Sequence, residues 1–287
     1  MSNDEANRVA IVTGVTGKFG QGIGRELARI GWNVLGTGRR ADRGAVFEEE
    51  IRSRGGVAKY VQGDVAKVAD CRKLVDTAIE AYGRIDLVVN NAATLTDPPF
   101  LSSHDFSEDD WDHVLDTNLK GAFFCSTFAL EVMLQQGFGH IVNVGSAHGL
   151  NIGPPRMAAY IASKAGLIAL TKTMAVEYAS KGIRMNVIIL GAAEGEAGYQ
   201  ASDARARDSL GDDYAPIPYD VRHAGGVLGE ELAQTIQFLT SENARHINGA
   251  AIPVDDGLMA GTYWDWVSLG LAQTSQTVDT TERRRDA

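Results

Sequence analysis

The chain has 287 residues, of which 44% are hydrophobic and 22% are charged. These fractions lie near the averages of globular domains, so a sizeable core can be buried. The formal net charge of -10 at pH 7 argues against a protein held to nucleic acid through phosphate contacts. The first residues, MSNDEANR, are polar and lack an apolar signal core, and we expect a cytoplasmic protein that does not enter a membrane.

Apolar strand-like runs alternate with amphipathic helix-like segments. Strands are predicted at residues 9–13, 33–37, 58–61, 87–90, 140–144, 184–189 and 250–254. Helices are predicted at residues 21–30, 47–54, 69–82, 108–134, 158–180 and 230–239. This alternation implies crossover connections. The chain is therefore predicted to be α/β, with a single Rossmann-type doubly wound parallel sheet of about seven strands and helices on both faces.

Two regions interrupt the alternation. Residues 192–226 lack periodicity, and we interpret this long segment as a lid over bound ligands. Residues 1–261 are predicted to form one domain, and residues 262–287 a C-terminal extension that is partly disordered. Cys71 and Cys125 lack metal-ligand spacing, so we expect buried free thiols and no metal site.

The first predicted strand runs into a glycine-rich turn, TGVTGKFGQG, that opens a helix. A dinucleotide pyrophosphate binds where backbone N–H groups can be approached closely at the positive end of a helix dipole. Glycine permits that approach because it has no Cβ atom, although a tight strand-to-helix turn needs glycine too. We interpret the turn as a dinucleotide site formed by Gly14, Thr16, Gly17, Lys18, Phe19 and Gly20.

The second predicted strand ends in LGTGRR, with Gly38 where an acidic residue would bind the ribose 2′-hydroxyl of NAD. Arg39 and Arg40 follow, and a guanidinium group recognises phosphate through paired hydrogen bonds. The alternative is two solvated arginines that start a helix. The pattern favours NADP(H) over NAD(H).

Tyr160 and Lys164 lie one helical turn apart in AAYIASKAG, so their side chains share one helix face. A phenol titrates at about pH 10, too high for efficient acid–base catalysis at neutral pH. A neighbouring ammonium group lowers the pKa of a phenol because it stabilises the phenolate. The pair indicates a tyrosine general acid or base, although the spacing alone is common by chance.

Other polar residues lie at the predicted carboxyl edge of the sheet. Ser146 follows the strand HIVNVGS, where a hydroxyl can donate to a substrate oxygen or simply open a turn. The Asn90–Ala93 segment, NNAA, ends the fourth strand at the same edge. Asn118 lies in the middle of a predicted helix, where asparagine is a poor helix former, so its position indicates a specific role.

Together these residues resemble the short-chain dehydrogenase/reductase family over about residues 8–261. The motifs occur in order: the glycine turn, GDV with Asp64, NNAA, NLKGAFF with Asn118, IVNVGS with Ser146, YIASK with Tyr160 and Lys164, IRMN before Gly191, and VDDG ending at Gly257. The resemblance implies a catalytic tetrad of Asn118, Ser146, Tyr160 and Lys164.

In that tetrad, Tyr160 would transfer the proton and Ser146 would polarise the substrate oxygen. Lys164 would lower the pKa of the tyrosine and hold the nicotinamide ribose, and Asn118 would fix a water that relays protons to Lys164. The resemblance also implies further cofactor-binding residues, namely Asp64 and Val65 beside the adenine, Asn91, Ala92 and Ala93 beside the adenosine ribose, and Gly191.

Three features depart from the family pattern. Lys18 stands where the middle glycine of the turn is usual, with Gly17 one position earlier. The usual Pro-Gly after the sixth strand is Leu190-Gly191, and Gly195 replaces a threonine expected near the nicotinamide carboxamide, so backbone groups or Glu194 are expected to anchor it. The tail after residue 261 is longer than the usual ending.

The prediction is an NADP(H)-dependent oxidoreductase that reduces a ketone or other carbonyl to a secondary alcohol, or catalyses the reverse. An NAD-dependent alcohol dehydrogenase of the same family is one alternative, and a cofactor-binding sensor or scaffold without turnover is another. The family implies a homotetramer or dimer paired through the helices that carry Asn118 and Tyr160. The walls of the small-molecule substrate site are predicted at His148, Asn151, Met157, Glu194 and Tyr199.

Overall fold

The structure is a computed structural model that describes residues 7–97, 99–150, 156–191, 227–255, 257 and 259. The strands are β1 (Val9–Thr13), β2 (Asn33–Gly38), β3 (Val57–Gln62), β4 (Leu87–Asn90), β5 (Gly139–Ser146), β6 (Ile183–Leu190) and β7 (Ala251–Val254). The helices are α1 (Lys18–Arg29), α2 (Ala41–Ser53), α3 (Val68–Tyr82), α4 (Glu108–Leu115), α5 (Gly121–Gln136), α6 (Ala147–Leu150), α7 (Ala158–Tyr178) and α8 (Gly229–Thr240). A π-helical turn, Asp116–Lys120, joins α4 to α5.

The seven strands form one parallel sheet in the order β3-β2-β1-β4-β5-β6-β7. Neighbouring residues of a strand point to opposite faces of the sheet. On β1, Ala10 and Val12 belong to the core that α1, α2 and α8 build on one face. Ile11 belongs to the core that α3, α5 and α7 build on the other. The predicted doubly wound sheet with helices on both faces is therefore confirmed.

The order of the sheet locates the ligand crevice. The chain winds outward from β1 through β2 and β3 on one side, and from β4 to β7 on the other. In open parallel sheets, ligands bind outside the carboxyl ends of the strands at such a switch point. The segments after β1 and β4 are joined there, because the N–H groups of Asn91 and Ala92 each donate to Thr13 Oγ1 at 3.0 Å.

Two predicted helices differ from the structure. Helix α2 begins at Ala41 and not at residue 47. A Cβ atom at Gly44 would lie 2.1 Å from the ring of Tyr60, so this glycine makes room for that ring inside the helix. The predicted helix 108–134 is two helices with the π-helical turn between them, and Asn118 lies in that turn.

Both cysteines are buried free thiols, as the sequence predicted. The thiol of Cys71 donates to the carbonyl oxygen of Val65 at 3.2 Å. Within the described part of the chain, no three potential metal ligands lie together. Among the same residues, no helix has the length and apolarity needed to cross a bilayer.

His140 is a buried titratable residue at the start of β5, away from the carboxyl end of the strand. It is 4% exposed and lies between Leu87 of β4 and Arg184 of β6. Burial, with a smaller contribution from the guanidinium groups of Arg184 and Arg8, lowers the pKa of His140 to about 3. Because the ordinary pKa of histidine is about 6.5, protons bind the unfolded chain more readily than the folded protein. This contribution to stability is complete above about pH 6.5 and is lost as the pH falls from there toward about 3.

We predict that His140→Phe removes this acid sensitivity. The free energy of unfolding of the wild type, measured relative to the variant by urea denaturation, should fall by about 2 kcal/mol between about pH 7 and pH 5, at about 1.4 kcal/mol per pH unit below the ordinary pKa. His104→Gln is the control, because the His104 side chain is 85% exposed, and it should keep the wild-type dependence. Identical pH dependence in the wild type and His140→Phe would contradict the assignment.

Candidate active site

The glycine turn connects β1 to α1. Gly14 has a φ of +78°, and a Cβ atom there would lie 2.9 Å from Asn91 Nδ2. At Gly20 a Cβ atom would lie 2.4 Å from the carbonyl oxygen of Gly14, whereas at Gly17 that same oxygen is 3.5 Å away. Gly14 and Gly20 are therefore required for packing within the protein. Gly17, at the N-cap of α1, leaves space where backbone N–H groups point outward.

The other residues of the turn take different positions. Thr16 is 6% exposed, and its hydroxyl lies 2.6 Å from the position of a Cβ atom at Gly38. Lys18 is the first residue of α1 and its side chain is exposed. Phe19 packs its side chain against the core of α1, α2 and α8. The lysine that replaces the usual glycine thus adds no bulk inside the turn.

The two arginines after β2 have different surroundings. The guanidinium group of Arg40 donates to the carbonyl oxygen of Thr16. The backbone is fixed from β3, since Tyr60 Oη donates to the carbonyl oxygen of Gly38 at 2.6 Å and Gln62 Nε2 donates to that of Arg39 at 3.0 Å. The Arg39 side chain is exposed, and its guanidinium group has no hydrogen bond or ion pair with any described residue. Arg40 holds the glycine turn, and Arg39 faces outward beside it.

The segment after β3 carries Asp64 and Val65. The backbone N–H of Asp64 donates to Asp70 Oδ2 at 2.8 Å, and its side chain accepts from the N–H of Ala66 at 3.1 Å. Val65 is partly buried against the core of α3, α5 and α7. These contacts fix both residues after the end of β3. This strand pairs with β2, and β2 pairs with β1, the strand that the glycine turn follows.

The segments after β4 and β6 are also held in place by neighbouring segments. Asn91 Nδ2 donates to the carbonyl oxygen of Thr13 at 2.9 Å, Ala92 is partly buried and Ala93 is exposed. A Cβ atom at Gly191 would lie 2.8 Å from the Cα atom of Asp255, so this glycine permits the close approach of the segment after β7.

Ser146, Tyr160 and Lys164 meet at the carboxyl end of β5. Ser146 is the last residue of the strand and is 6% exposed, and it lies close enough to the phenol of Tyr160 to affect the pKa of that group. Lys164 is 3% exposed, and its Nζ donates to the carbonyl oxygen of Val144 at 2.8 Å. The end of the strand and the first turns of α7 thus place a hydroxyl, a phenol and an amine side by side.

Burial shifts the pKa of both ionisable groups toward their neutral forms. It raises the pKa of Tyr160, and the nearby hydroxyl of Ser146 lowers that pKa only in part. It lowers the pKa of Lys164 to about 8. The expectation that Lys164 makes the phenol more acidic is not met in this structure. The amine lies 5.7 Å from the centre of the Tyr160 ring and is bonded to Val144, so desolvation dominates.

Asn118 lies at the centre of the π-helical turn and is 1% exposed. Its Oδ1 accepts from the N–H of Thr94 at 2.7 Å, and its Nδ2 donates to the carbonyl of Thr94 at 3.0 Å and to Ser163 Oγ at 3.1 Å. Turns of this kind occur frequently at functional sites. The turn explains why a poor helix former interrupts a long helix: it connects the segment after β4 to α7.

Two predicted substrate residues are within the described ranges. Met157 is 7% exposed and forms an apolar cluster with Phe100, Leu95, Tyr160 and Ile161. His148 is partly buried, its N–H donates to Ser146 Oγ at 3.2 Å, and burial lowers its pKa to about 4. Asn151, Glu194 and Tyr199, with Gly195, the proposed lid at 192–226 and the C-terminal tail, lie outside the described residues.

The sequence alone missed several residues that build the site. Thr94 follows the NNAA motif, and Ser163 precedes Lys164. Their hydrogen bonds with Asn118 join distant segments of the chain, and such contacts leave no periodic signal in the sequence. Phe100 has a φ of +65°, a conformation that bulky residues rarely adopt, and it is 5% exposed. Nothing in the spacing of its neighbours indicates that it packs near Tyr160.

A family model described as short chain dehydrogenase matches residues 8–206. The chain belongs to the short-chain dehydrogenase/reductase family. A 3-oxoacyl-(acyl-carrier-protein) reductase FabG from Staphylococcus epidermidis is 34% identical over 255 residues, which are 88% of this chain and 99% of that protein. As a member of the family, the protein is an NAD(P)-dependent oxidoreductase, and the space at Gly17 before α1 fits the pyrophosphate of such a cofactor.

Two solved structures of similar proteins carry different cofactors. A variant of actinorhodin polyketide ketoreductase with NADPH has a TM-score of 0.78 and 29% identity, over 88% of this chain and 98% of that one. An NAD+-bound xylitol dehydrogenase has a TM-score of 0.79 and 28% identity, over 89% of this chain and all (100%) of that one. The likeness in fold therefore does not distinguish the two dinucleotides.

The two glycines of the turn give a matched test of the cofactor site. Gly17→Ala should change the free energy of unfolding by no more than about 1 kcal/mol but weaken dinucleotide binding, because the new methyl group occupies the open side of the turn. Gly20→Ala should destabilise the fold by about 2 kcal/mol or more, because its Cβ atom meets Gly14. Urea denaturation and fluorescence titration with NADPH measure the two quantities. Unchanged affinity in Gly17→Ala would place the pyrophosphate elsewhere.

Proposed function

We propose that the protein is an NADP(H)-dependent reductase that converts a ketone or other carbonyl to a secondary alcohol. The observation that carries this proposal is the convergence of Ser146, Tyr160 and the buried Lys164 at the carboxyl end of β5. The bound dinucleotide would supply the hydride. The chain's own residues would bind the carbonyl oxygen, deliver its proton and exclude water.

The phenol has the protonation state that an acid needs at this position. Because burial raises the pKa of Tyr160, the phenol holds its proton at neutral pH, and the same shift makes the transfer of that proton to a substrate oxygen harder. Ser146 would donate a second hydrogen bond to that oxygen. With a pKa of about 8, Lys164 is largely protonated at neutral pH, and its amine lies 5.7 Å from the centre of the Tyr160 ring. The NAD-dependent alcohol dehydrogenase remains the alternative, since a similar structure holds NAD+.

The cofactor preference rests on charge at the end of β2. Arg39 is exposed there and carries no partner among the described residues, while Arg40 is held by the carbonyl of Thr16. A 2′-phosphate on the adenosine ribose would gain a charge-assisted hydrogen bond from Arg39. We therefore propose NADP(H) over NAD(H).

The apolar cluster beside Tyr160 supports a substrate with a hydrocarbon group next to its carbonyl. Phe100 and Met157 are 5% and 7% exposed and form this cluster with the phenol. Apolar walls with few polar groups are typical of small-molecule sites. The cytoplasmic location stays a prediction.

A homo-oligomer also remains a proposal. A shallow groove of about 480 Å³ lies between the π-helical turn with α5 and the facing side of α7. Its lining is mostly apolar and includes Leu119, Phe123 and Leu170, and the Phe123 side chain is 36% exposed. These features support pairing with a second copy through the helices that carry Asn118 and Tyr160.

Tyr160→Phe tests the proposed acid. The variant should fold normally but lose between about 10²- and 10⁴-fold in kcat for carbonyl reduction, because the proton donor is removed. Tyr178→Phe is the control, since it removes a hydroxyl at the other end of the same helix, and it should keep wild-type kcat. Activity is followed by the absorbance of the reduced dinucleotide over a panel of ketones. Near wild-type turnover by Tyr160→Phe would refute the mechanism, and no turnover by the wild type would favour a cofactor-binding sensor or scaffold.

Arg39→Ala tests the cofactor preference. We expect about a tenfold or greater loss of NADPH affinity, because a charge-assisted hydrogen bond is lost, with NADH affinity unchanged within about twofold. Arg54→Ala provides a control with the same change of charge at the C-cap of α2. Fluorescence titrations with both dinucleotides measure the ratio. An unchanged ratio of the two affinities in Arg39→Ala would exclude Arg39 as the phosphate ligand.

A further inference from the structure

Among the residues that the structure describes, three buried hydroxyl groups on helices make the same pair of hydrogen bonds, which we call a hydroxyl–amide clasp. Each hydroxyl accepts from an asparagine side-chain amide and donates to a backbone carbonyl of the preceding helical turn. The clasps are Asn118–Ser163 (3.1 Å, with 2.7 Å to the carbonyl of Tyr160), Asn143–Thr171 (2.8 Å, with 2.7 Å to Leu167) and Asn90–Ser126 (2.9 Å, with 2.7 Å to Ala122).

The Asn118–Ser163 clasp joins the parts of the proposed active site. Ser163 Oγ donates to the carbonyl oxygen of Tyr160 itself, the residue that carries the proposed acid. On the other side, Asn118 holds both backbone groups of Thr94. Thr94 directly follows the NNAA segment predicted to bind the cofactor. The clasp therefore spans from the cofactor side of the crevice to the proposed proton donor.

The hydrogen-bond donors of this clasp are all used. An asparagine amide has two N–H donors and a serine hydroxyl has one. Asn118 gives one N–H to Thr94 and the other to Ser163, and Ser163 gives its proton to Tyr160. Asn118 is 1% exposed and Ser163 is 0% exposed. Removing the Ser163 hydroxyl would therefore leave a buried N–H of Asn118 without its partner and free the amide to turn.

We propose that Ser163 is a positioning residue for proton transfer, which sets the distance between the segment after β4 and the Tyr160 side chain through Asn118. This inference rests on the proposed function, because it assigns Tyr160 as the acid. Ser163 itself does not contact the reacting atoms. Its loss should change the rate and the pH dependence of the reaction more than the binding of the dinucleotide.

Thr171 offers a matched control on the same helix. Its hydroxyl is also 0% exposed, accepts from an asparagine amide and donates to the carbonyl of Leu167. It lies two helical turns beyond Ser163, and its partner Asn143 is inside β5 and not at its carboxyl end. Removing either hydroxyl costs the fold a similar buried clasp, but only Ser163 is bonded to the backbone of the proposed acid.

The experiment compares Ser163→Ala with Thr171→Val. Ser163→Ala should lower kcat by about tenfold or more, since small misplacements of reacting groups are costly, with the NADPH Kd within about twofold of wild type. The apparent pKa in its pH–kcat profile should also move. Thr171→Val should lose comparable stability to urea but keep both kcat and the pH profile. Equal effects of the two variants on kcat, or an unshifted profile in Ser163→Ala, would overturn the proposal.

Two further measurements keep the outcome decisive. If Ser163→Ala does not fold, Ser163→Cys, which keeps the volume but bonds weakly, is judged by the same criteria. If the wild type turns over no carbonyl substrate, the proposed function fails while the clasp is still tested. In that case the pKa of Tyr160 is measured by ultraviolet titration, as the difference between each protein and the same protein with Tyr160→Phe added. This pKa should shift in Ser163→Ala and not in Thr171→Val. No shift would refute the positioning role.

Discussion

The hydrogen bond from Lys164 Nζ to the carbonyl of Val144 fixes α7 against the end of β5. This contact places the amine inside the protein, 3% exposed, and sets the phenol of Tyr160 one helical turn earlier beside Ser146. A buried amine needs such a partner because an unpaired polar group in the interior is costly. The geometry of the proposed chemistry therefore depends on a backbone carbonyl that any residue at position 144 would supply.

The same burial decides the electrostatics of the site. A lysine beside a tyrosine predicts an acidified phenol when only the pair is considered. In the folded protein, desolvation acts on both groups and raises the pKa of Tyr160 while it lowers that of Lys164. A tyrosine that keeps its proton suits the reduction of a carbonyl. These pKa shifts come from burial, which the spacing of two residues does not contain.

The sequence predicted the elements of the fold that hydrophobic periodicity and local backbone chemistry determine. All seven strands and the glycine turn were found in this way, because buried parallel strands are continuous apolar runs. It did not predict the π-helical turn at Asn118, the partners Thr94 and Ser163, or Phe100, since these depend on contacts between distant segments. Asn118 was the exception that gave a signal, because its side chain disfavours the helix it interrupts.

The most direct test of the account follows the hydride itself. The wild-type protein is given NADPH that carries deuterium at the transferred position of the nicotinamide ring, together with an active ketone in ordinary water. Direct transfer, with the proton delivered separately by Tyr160, predicts an alcohol that carries deuterium on its carbinol carbon and an ordinary exchangeable hydrogen on its oxygen. An alcohol without deuterium on that carbon would contradict the account.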